Sequence, residues 1–408
     1  LDQALSAALH SLKPVATTER VRLLDAYGRI LAKDVVTRLD VPPHDNSAMD
    51  GFALHLADLS VQEPVRLMIA GQVTAGHPYR GPVPHATAVR INTGGIIPEG
   101  ADAVVMQEHC QLTPDEGWLE LSPQVSARLQ PGENIRRRGE DTQAGTLLLT
   151  KGRRLRPQDV ALLAGQGISA VEVIRQLRVA VASTGDELGE PDLALPAGAI
   201  YDSNRYLLIG LLQQFGCLIT DLGILRDDRE TMLPAIQTAA RTHDVLLTSG
   251  GVSVGNADLV KEVIATLGRI EFWRLAIKPG KPLMYGRIED CLVLGLPGNP
   301  VAVMVTFLLF ARPLLSALLG IVYEAPLRWR ATADFEFRRK PGRREWLRAR
   351  CRLDPTRGPL VSIYHTASSG VLSSLSWADG LVELPEDCRA VRPGDAVDYL
   401  PFSGLGVE

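Results

Sequence analysis

Cysteine, lysine and long apolar runs are scarce in this 408-residue chain, and each scarcity excludes something. The five cysteines stand at 110, 217, 291, 351 and 388, with no CxxC pair among them. A scattered, odd set offers neither a thiolate metal cluster nor a disulfide framework; it reads as reduced thiols in a cytoplasmic protein. His44, His77 and His109 also lack metal-ligand spacing and read as loop histidines. No unbroken run of about eighteen apolar residues occurs. The longest candidate, Val301 to Leu319, is interrupted by Arg312 and Pro313, so no membrane span is expected. The opening residues, which begin at Leu1 rather than Met, show no basic flank before an apolar run, so no signal peptide is expected. There is no short-period repeat, no Walker A sequence and no GxGxxG fingerprint. A basic excess is missing too. Lys+Arg is 43 against Asp+Glu 47, a formal net charge of −4. That argues against a nucleic-acid binder but leaves room for a pocket holding one small anion. Only seven of the basic residues are lysines.

What is present is a globular chain, 46% hydrophobic and long enough for two to four domains. Apolar residues at 5, 8, 9 and 12 give helical spacing, and a second short helix is expected over Leu23 to Ala32. From Val35 to Leu149, short β-rich runs alternate with Gly and Pro; Arg156 to Gly167 then returns to helix. Residues 1–34 plus 150–175 are therefore read as a helical base domain, with an inserted β-rich domain at 35–149. Over 176–325, strands alternate with helices at Asn204 to Phe215, Arg229 to Arg241, Asp258 to Leu267 and Val301 to Leu319. This is the pattern of a three-layer α/β domain with a mostly parallel sheet, whose ligands sit at the C-terminal strand ends. Residues 326–408 regain strand texture and read as a C-terminal β-barrel-like domain.

Four strand ends of the α/β segment carry chemistry. In Ser183-Thr184-Gly185-Asp186-Glu187, Thr184 and the Gly185 amide suit phosphate oxygens, while Asp186 or Glu187 suits a divalent cation. The alternative is a polar strand-to-loop cap. In the run from Ser249 through Gly250, Gly251 and Ser253, the glycines let backbone amides approach an anion. Asp258 follows, either as a helix cap or as a carboxylate beside a metal. In Lys278-Pro279-Gly280-Lys281, a constrained turn places two ammonium groups for an oxyanion, unless it is a solvated basic turn. In Pro297-Gly298-Asn299-Pro300, free amides at a helix start suit an anion, or Asn299 caps the helix. Together they favour a phosphorylated ligand. The β-rich segment adds the acidic loop Asp45 to Asp50, the flexible Thr93-Gly94-Gly95, and Arg136-Arg137-Arg138 before Glu140 and Asp141. The arginine run reads as a solvated turn or as ionic contacts between domains.

These pieces resemble the bacterial molybdopterin molybdenumtransferase family, the molybdenum-insertion enzymes whose eukaryotic relatives include gephyrin and the plant E-domains. The matching segments are DNSAMDGFA at 45–53, RINTGG at 90–95, ADAVVMQE at 101–108, NIRRRGED at 134–141, STGDEL at 183–188, LTSGGVSVGNAD at 247–258, IKPGKP at 277–282 and GLPGNP at 295–300. The resemblance implies an elongated, four-domain homodimer that transfers molybdenum from molybdate to adenylylated molybdopterin with release of AMP. It implies Mg²⁺ held by Asp186, Glu187, Asp227 and Asp258, with Glu187, Asp227 and Asp258 as functional carboxylates and Asp50 as an acid from the inserted module. It implies substrate contacts at Thr93, Asp141, Thr184, Gly185, Ser249, Gly250, Gly251, Ser253, Pro297, Gly298 and Asn299. Lys278 and Lys281 become oxyanion ligands. In the last domain relatives carry a glycine-serine-histidine run before paired serines. Here Tyr364 to Ser374 departs from it, leaving Arg343, Arg344 and Ser374 as candidates. The implied partners are a second copy, with transient contact to the adenylyltransferase and to molybdoenzyme acceptors; neither nucleic acid nor membrane is expected. The rival readings are a molybdopterin adenylyltransferase and a non-catalytic, gephyrin-like scaffold.

Overall fold

The computed structural model describes residues 1–251 and 259–407. The chain divides into two compact units. The first holds Leu1–Glu19, Gly28–Ile30 and Val173–Glu408; the second holds Arg20–Tyr27 and Leu31–Glu172. The chain opens on α1 (Asp2–Ser11), which buries Leu5 and Ala8 in the core of the first unit. The helix expected over Leu23 to Ala32 is not formed. A 3₁₀ turn at Leu23–Asp25 ends at once, Gly28 takes φ +72°, and Ile30–Leu31 is extended. A left-handed glycine breaks the helical path that the apolar spacing suggested.

The second unit is organised by strands β1 (Gly51–Leu54), β2 (Val65–Val73), β3 (Thr87–Ile91), β4 (Ala103–Met106), β5 (Gln111–Leu112) and β6 (Trp118–Leu121). They form one sheet in the order β4-β1-β3-β2-β6-β5, parallel only between β2 and β3. Alternate residues of β1 serve opposite faces: Phe52 and Leu54 join one apolar cluster, Ala53 another. Helix α2 (Pro157–Gly165) follows, with Asp159 accepting from Arg156 N–H at its first turn.

In the first unit a six-stranded sheet is built from β7 (Arg178–Thr184), β8 (Leu218–Leu225), β9 (Val245–Ser249), β10 (Arg269–Arg274), β11 (Pro282–Ile288) and β12 (Cys291–Leu296). The order is β8-β7-β9-β12-β11-β10; the first four strands are parallel and the last two antiparallel. Helices α3 (Asn204–Phe215), α4 (Arg229–Thr242) and α5 (Leu259–Leu267) lie between strands. The sheet's alternation sorts the packing. Val179, Val181, Val245 and Leu247 meet α3 on one face, while Ala180 and Leu246 meet α4 and α5 on the other. Helix α6 runs continuously over Pro300–Leu318, with a π-helical stretch at Phe307–Ala311. It is long and apolar enough to cross a membrane, although Arg312 and Pro313 interrupt its sequence. Instead, 83% of its apolar stretch is buried inside the protein.

The C-terminal strands β13 (Trp329–Ala333), β14 (Arg344–Asp354), β15 (Gly358–Ile363), β16 (Gly380–Leu384) and β17 (Ala396–Pro401) pair in the ring β14-β15-β13-β17-β16 and back to β14, a closed five-stranded barrel. Its interior holds Ala331, Leu347, Ala349, Val361, Val382 and Tyr399. Trp346, Leu381 and Leu400 point the other way and complete the core around α3 and α6, so barrel and sheet share one apolar core. Five-strand closure leaves no open edge between these strands.

Candidate functional site

A cleft of about 940 Å³ opens at the C-terminal ends of β7, β9 and β12, the position that a parallel sheet prescribes for ligands. Thr184 and Gly185 line it after β7, Gly250 and Gly251 after β9, and Pro297, Gly298 and Asn299 after β12. Glu187 and Asp227 stand on the same lining, with the Lys278–Pro282 turn, Arg343 and Thr366–Ser369 from the barrel end. Motifs spread over nearly two hundred residues thus reach one cavity because adjacent parallel strands end side by side.

The glycines are dictated by space. Gly250 and Gly251 take φ +88° and +64°, and a Cβ on Gly250 would lie 2.5 Å from the Thr184 carbonyl oxygen. Gly185, at φ +139°, leaves room for the Glu187 carboxylate. Asp186 Oδ1 accepts the Asp227 N–H at 3.2 Å, and Arg226 Nη1 holds the carbonyls of Asp186 and Leu188 at 3.0 and 3.1 Å. Asp227 therefore lies within reach of the charges of Asp186 and Glu187. Burial, then the charges of Asp186 and Glu187, push the Asp227 carboxyl above its ordinary range. No three metal-ligating side chains converge among the described residues. Two cleft-lining carboxylates still match the chemistry of Mg²⁺, which is usually held by one or two carboxylates plus substrate phosphates. Asp258 and Ser253 lie outside the described residues.

The structure separates the two lysines of the turn. Ile277–Lys278 runs parallel to β14, in register with Arg344 and Glu345. Lys278 Nζ thereby meets the buried Glu345 Oε1 at 2.7 Å, and the other Glu345 oxygen lies 3.1 Å from Arg339 Nε. Lys281 is exposed and makes no ion pair among the described residues; the same holds for Arg343. Both lysines line the cleft, but only Lys278 is already paired.

Other expectations change as well. The Asn299 side chain does not cap α6; its Nδ2 donates to Ser369 Oγ at 2.9 Å. The helix start is not a row of free amides, since Pro300 has none and Val301 N–H is taken by the Ser369 carbonyl. Ser249 is buried below the cleft, hydrogen-bonded to Asn204, and does not line it. Ser374 is fully buried and accepts from Arg348 Nε at 2.9 Å. Arg344 is engaged by Asp2, Glu383 and Glu386. Sequence reading passed over four residues that shape this site: Glu345, Arg348, Ser369 and Asn204. Arg348 is buried, and its Nη2 donates to the Thr366 and Ser368 carbonyls at 2.7 and 2.9 Å, fixing the barrel loop of the cleft.

Asp50, Thr93 and Asp141 belong to the second unit. Asp50 Oδ1 accepts from Thr93 N–H at 2.6 Å and from its hydroxyl at 3.0 Å. Those bonds hold its carboxyl below the usual range. Asp141 instead lines a separate cavity of about 530 Å³ with Asn46, Arg136 and Glu140. The arginine run is used inside this unit: Arg137 pairs with Asp45 at 2.6 Å and Arg138 with Asp40 at 2.5 Å, while Arg136 has no ion pair among the described residues.

Comparison with known proteins covers most of the chain. Residues 1–167 match the MoeA N-terminal region (domain I and II), 180–317 a probable molybdopterin binding domain, and 330–402 the MoeA C-terminal region (domain IV). A molybdopterin molybdenumtransferase of Haemophilus influenzae is 39% identical over 99% of both chains. One from Bacillus subtilis is 34% identical over 98% of this chain and 93% of its own. The molybdopterin biosynthesis moeA protein of Pyrococcus horikoshii superposes with a TM-score of 0.83 at 31% identity, over 98% of each chain.

Proposed function

The chain belongs to the molybdopterin molybdenumtransferase (MoeA) family, and from that premise we propose that its cleft transfers molybdenum from molybdate to adenylylated molybdopterin and releases AMP. The observation that carries this reading is the meeting of three unlike groups in one cavity: glycine turns suited to phosphate, exposed cations suited to an oxyanion, and crowded carboxylates suited to a cation. The task is electrostatic, because every reactant is negative. Thr184 and the turns at Gly250 and Gly298 bind the nucleotide phosphates; Lys281 and Arg343 hold the molybdate dianion, with Lys278 orienting the turn. Asp227 and Glu187 would hold Mg²⁺, which when bound neutralises phosphate charge as the bond between the two phosphates breaks.

None of the five cysteines is in a disulfide, which fits a reducing, cytoplasmic setting. A homodimer, at about twice 44.2 kDa by light scattering, belongs to the same reading. So do transient contacts with an adenylyltransferase and with acceptor molybdoenzymes. The test is incubation with adenylylated molybdopterin, molybdate and Mg²⁺, with AMP separated by chromatography. AMP release that stops on chelation is the expected result. No AMP from the complete mixture contradicts the activity, and full release in chelator contradicts the metal.

A further inference from the structure

Asn204 opens α3 and belongs to none of the motifs above, yet its side chain does not cap its own helix. The Arg205 N–H is met by Asp202 Oδ1 at 3.2 Å, an oxygen that also accepts the Ser183 hydroxyl at 2.9 Å. The Asn204 carboxamide reaches elsewhere. Its Nδ2 donates to Ser249 Oγ at 2.9 Å and to the Gly298 carbonyl at 2.7 Å. Ser249 Oγ donates on to the Pro297 carbonyl at 3.3 Å, and Gly250 N–H to the Leu296 carbonyl at 3.1 Å. Because a carbonyl only accepts, the bond to Gly298 fixes which end of the amide is nitrogen. The amide oxygen is left buried with no hydrogen-bond partner among the described residues. An orphaned acceptor is costly in a folded chain, and here it accompanies two N–H groups committed to the end of β9 and to the turn after β12.

From this bonding we infer that Asn204 is a positioning residue. It locks the turn after β9 to the turn after β12 at one separation, so that both address the same phosphate group of the nucleotide. The ligand rests on the function proposed above; the geometry does not. An ordinary helix cap would stabilise α3 and add nothing to the backbone bonds that already run between the ends of β9 and β12. A clasp instead sets how well they act together, which no contact of Asn204 with the ligand is needed to achieve.

The test uses Asn204→Ala and Asn204→Asp, titrated calorimetrically with AMP and separately with molybdate, alongside thermal melting. Asn204→Asp keeps the volume but sets an oxygen against the Gly298 carbonyl. In both variants AMP affinity is expected to fall about 10-fold or more. Molybdate affinity should stay within about twofold, because neither Lys281 nor Arg343 is bonded to Asn204. Unchanged AMP affinity in both variants overturns the clasp, as does an equal loss of both ligands. Should Asn204→Ala not fold, Asn204→Asp decides alone. If the wild-type chain binds no AMP, the nucleotide reading fails, and hydrogen exchange then decides the clasp. Faster exchange of the amides at 250–251 and 298–299 in the variants supports it; unchanged exchange overturns it.

Discussion

The sheet wall and the barrel wall of the cleft hold their groups by different means. On the sheet side, Thr184, Gly250 and Gly298 lie at the ends of three parallel strands, and backbone conformation places them. On the barrel side, Lys278 is held by Glu345 and the Thr366–Ser369 loop by Arg348, so side-chain charge places them. A wall made by topology tolerates little change in shape. A wall made by ion pairs and charged hydrogen bonds tolerates little change in charge.

The largest break is expected at Arg348→Leu, which removes a buried guanidinium from the carbonyls of Thr366 and Ser368 and from Ser374. Hydrogen bonds from a charged group are worth about 1.5–3 kcal/mol each, so denaturant unfolding should show a loss of about 3–5 kcal/mol. A loss under about 1 kcal/mol would mean that water replaces the arginine. Gly251→Ala tests the opposite wall: at φ +64° its Cβ would overlap Val260 and stand 2.8 Å from Thr184 Oγ1. AMP affinity should fall about 30-fold or more by titration, with the barrel unaffected.

The lysines sharpen the comparison within one turn. Lys281→Met should weaken molybdate binding roughly 10- to 150-fold, the range of a charge-assisted bond. Lys278→Met should cost less, because Glu345 already offsets that ammonium. Equal losses would show that the Lys278–Glu345 pair opens when the anion enters. The smallest effect has the opposite sign. The Asp227 carboxyl is raised above its ordinary value, so its protonation favours the folded chain at low pH, and that advantage is lost as pH rises through the folded value. Asp227→Asn should therefore raise the melting temperature at neutral pH by of the order of 1 °C while weakening Mg²⁺-dependent AMP release. A lower melting temperature would mean that the carboxylate is bonded rather than crowded.

The same contrast explains how much could be read beforehand. Glycine turns after apolar runs marked the sheet wall, because a parallel α/β topology brings such ends together whatever lies between them. On the barrel wall Lys278, Lys281 and Arg343 were legible, but the residues that hold that wall in place were not. Nothing near Lys278 announces Glu345, and nothing near Ser369 announces Arg348, since those partners meet only through the strand register of β14. Local spacing misled at Leu23 to Ala32, where one left-handed glycine decided the path. Asn204 is the first residue of an apolar helix, and nothing in its spacing sets it apart. Only the positions of Ser249 and Gly298 show what its amide serves.

The division between the walls is tested most directly by titrating AMP and molybdate, each alone, into the wild type, Gly251→Ala and Lys281→Met. The expected pattern is crossed: Gly251→Ala loses AMP and keeps molybdate, whereas Lys281→Met loses molybdate and keeps AMP. If both variants lose the same ligand, or each loses both in equal measure, phosphate and molybdate share one site and the assignment of the two walls is wrong.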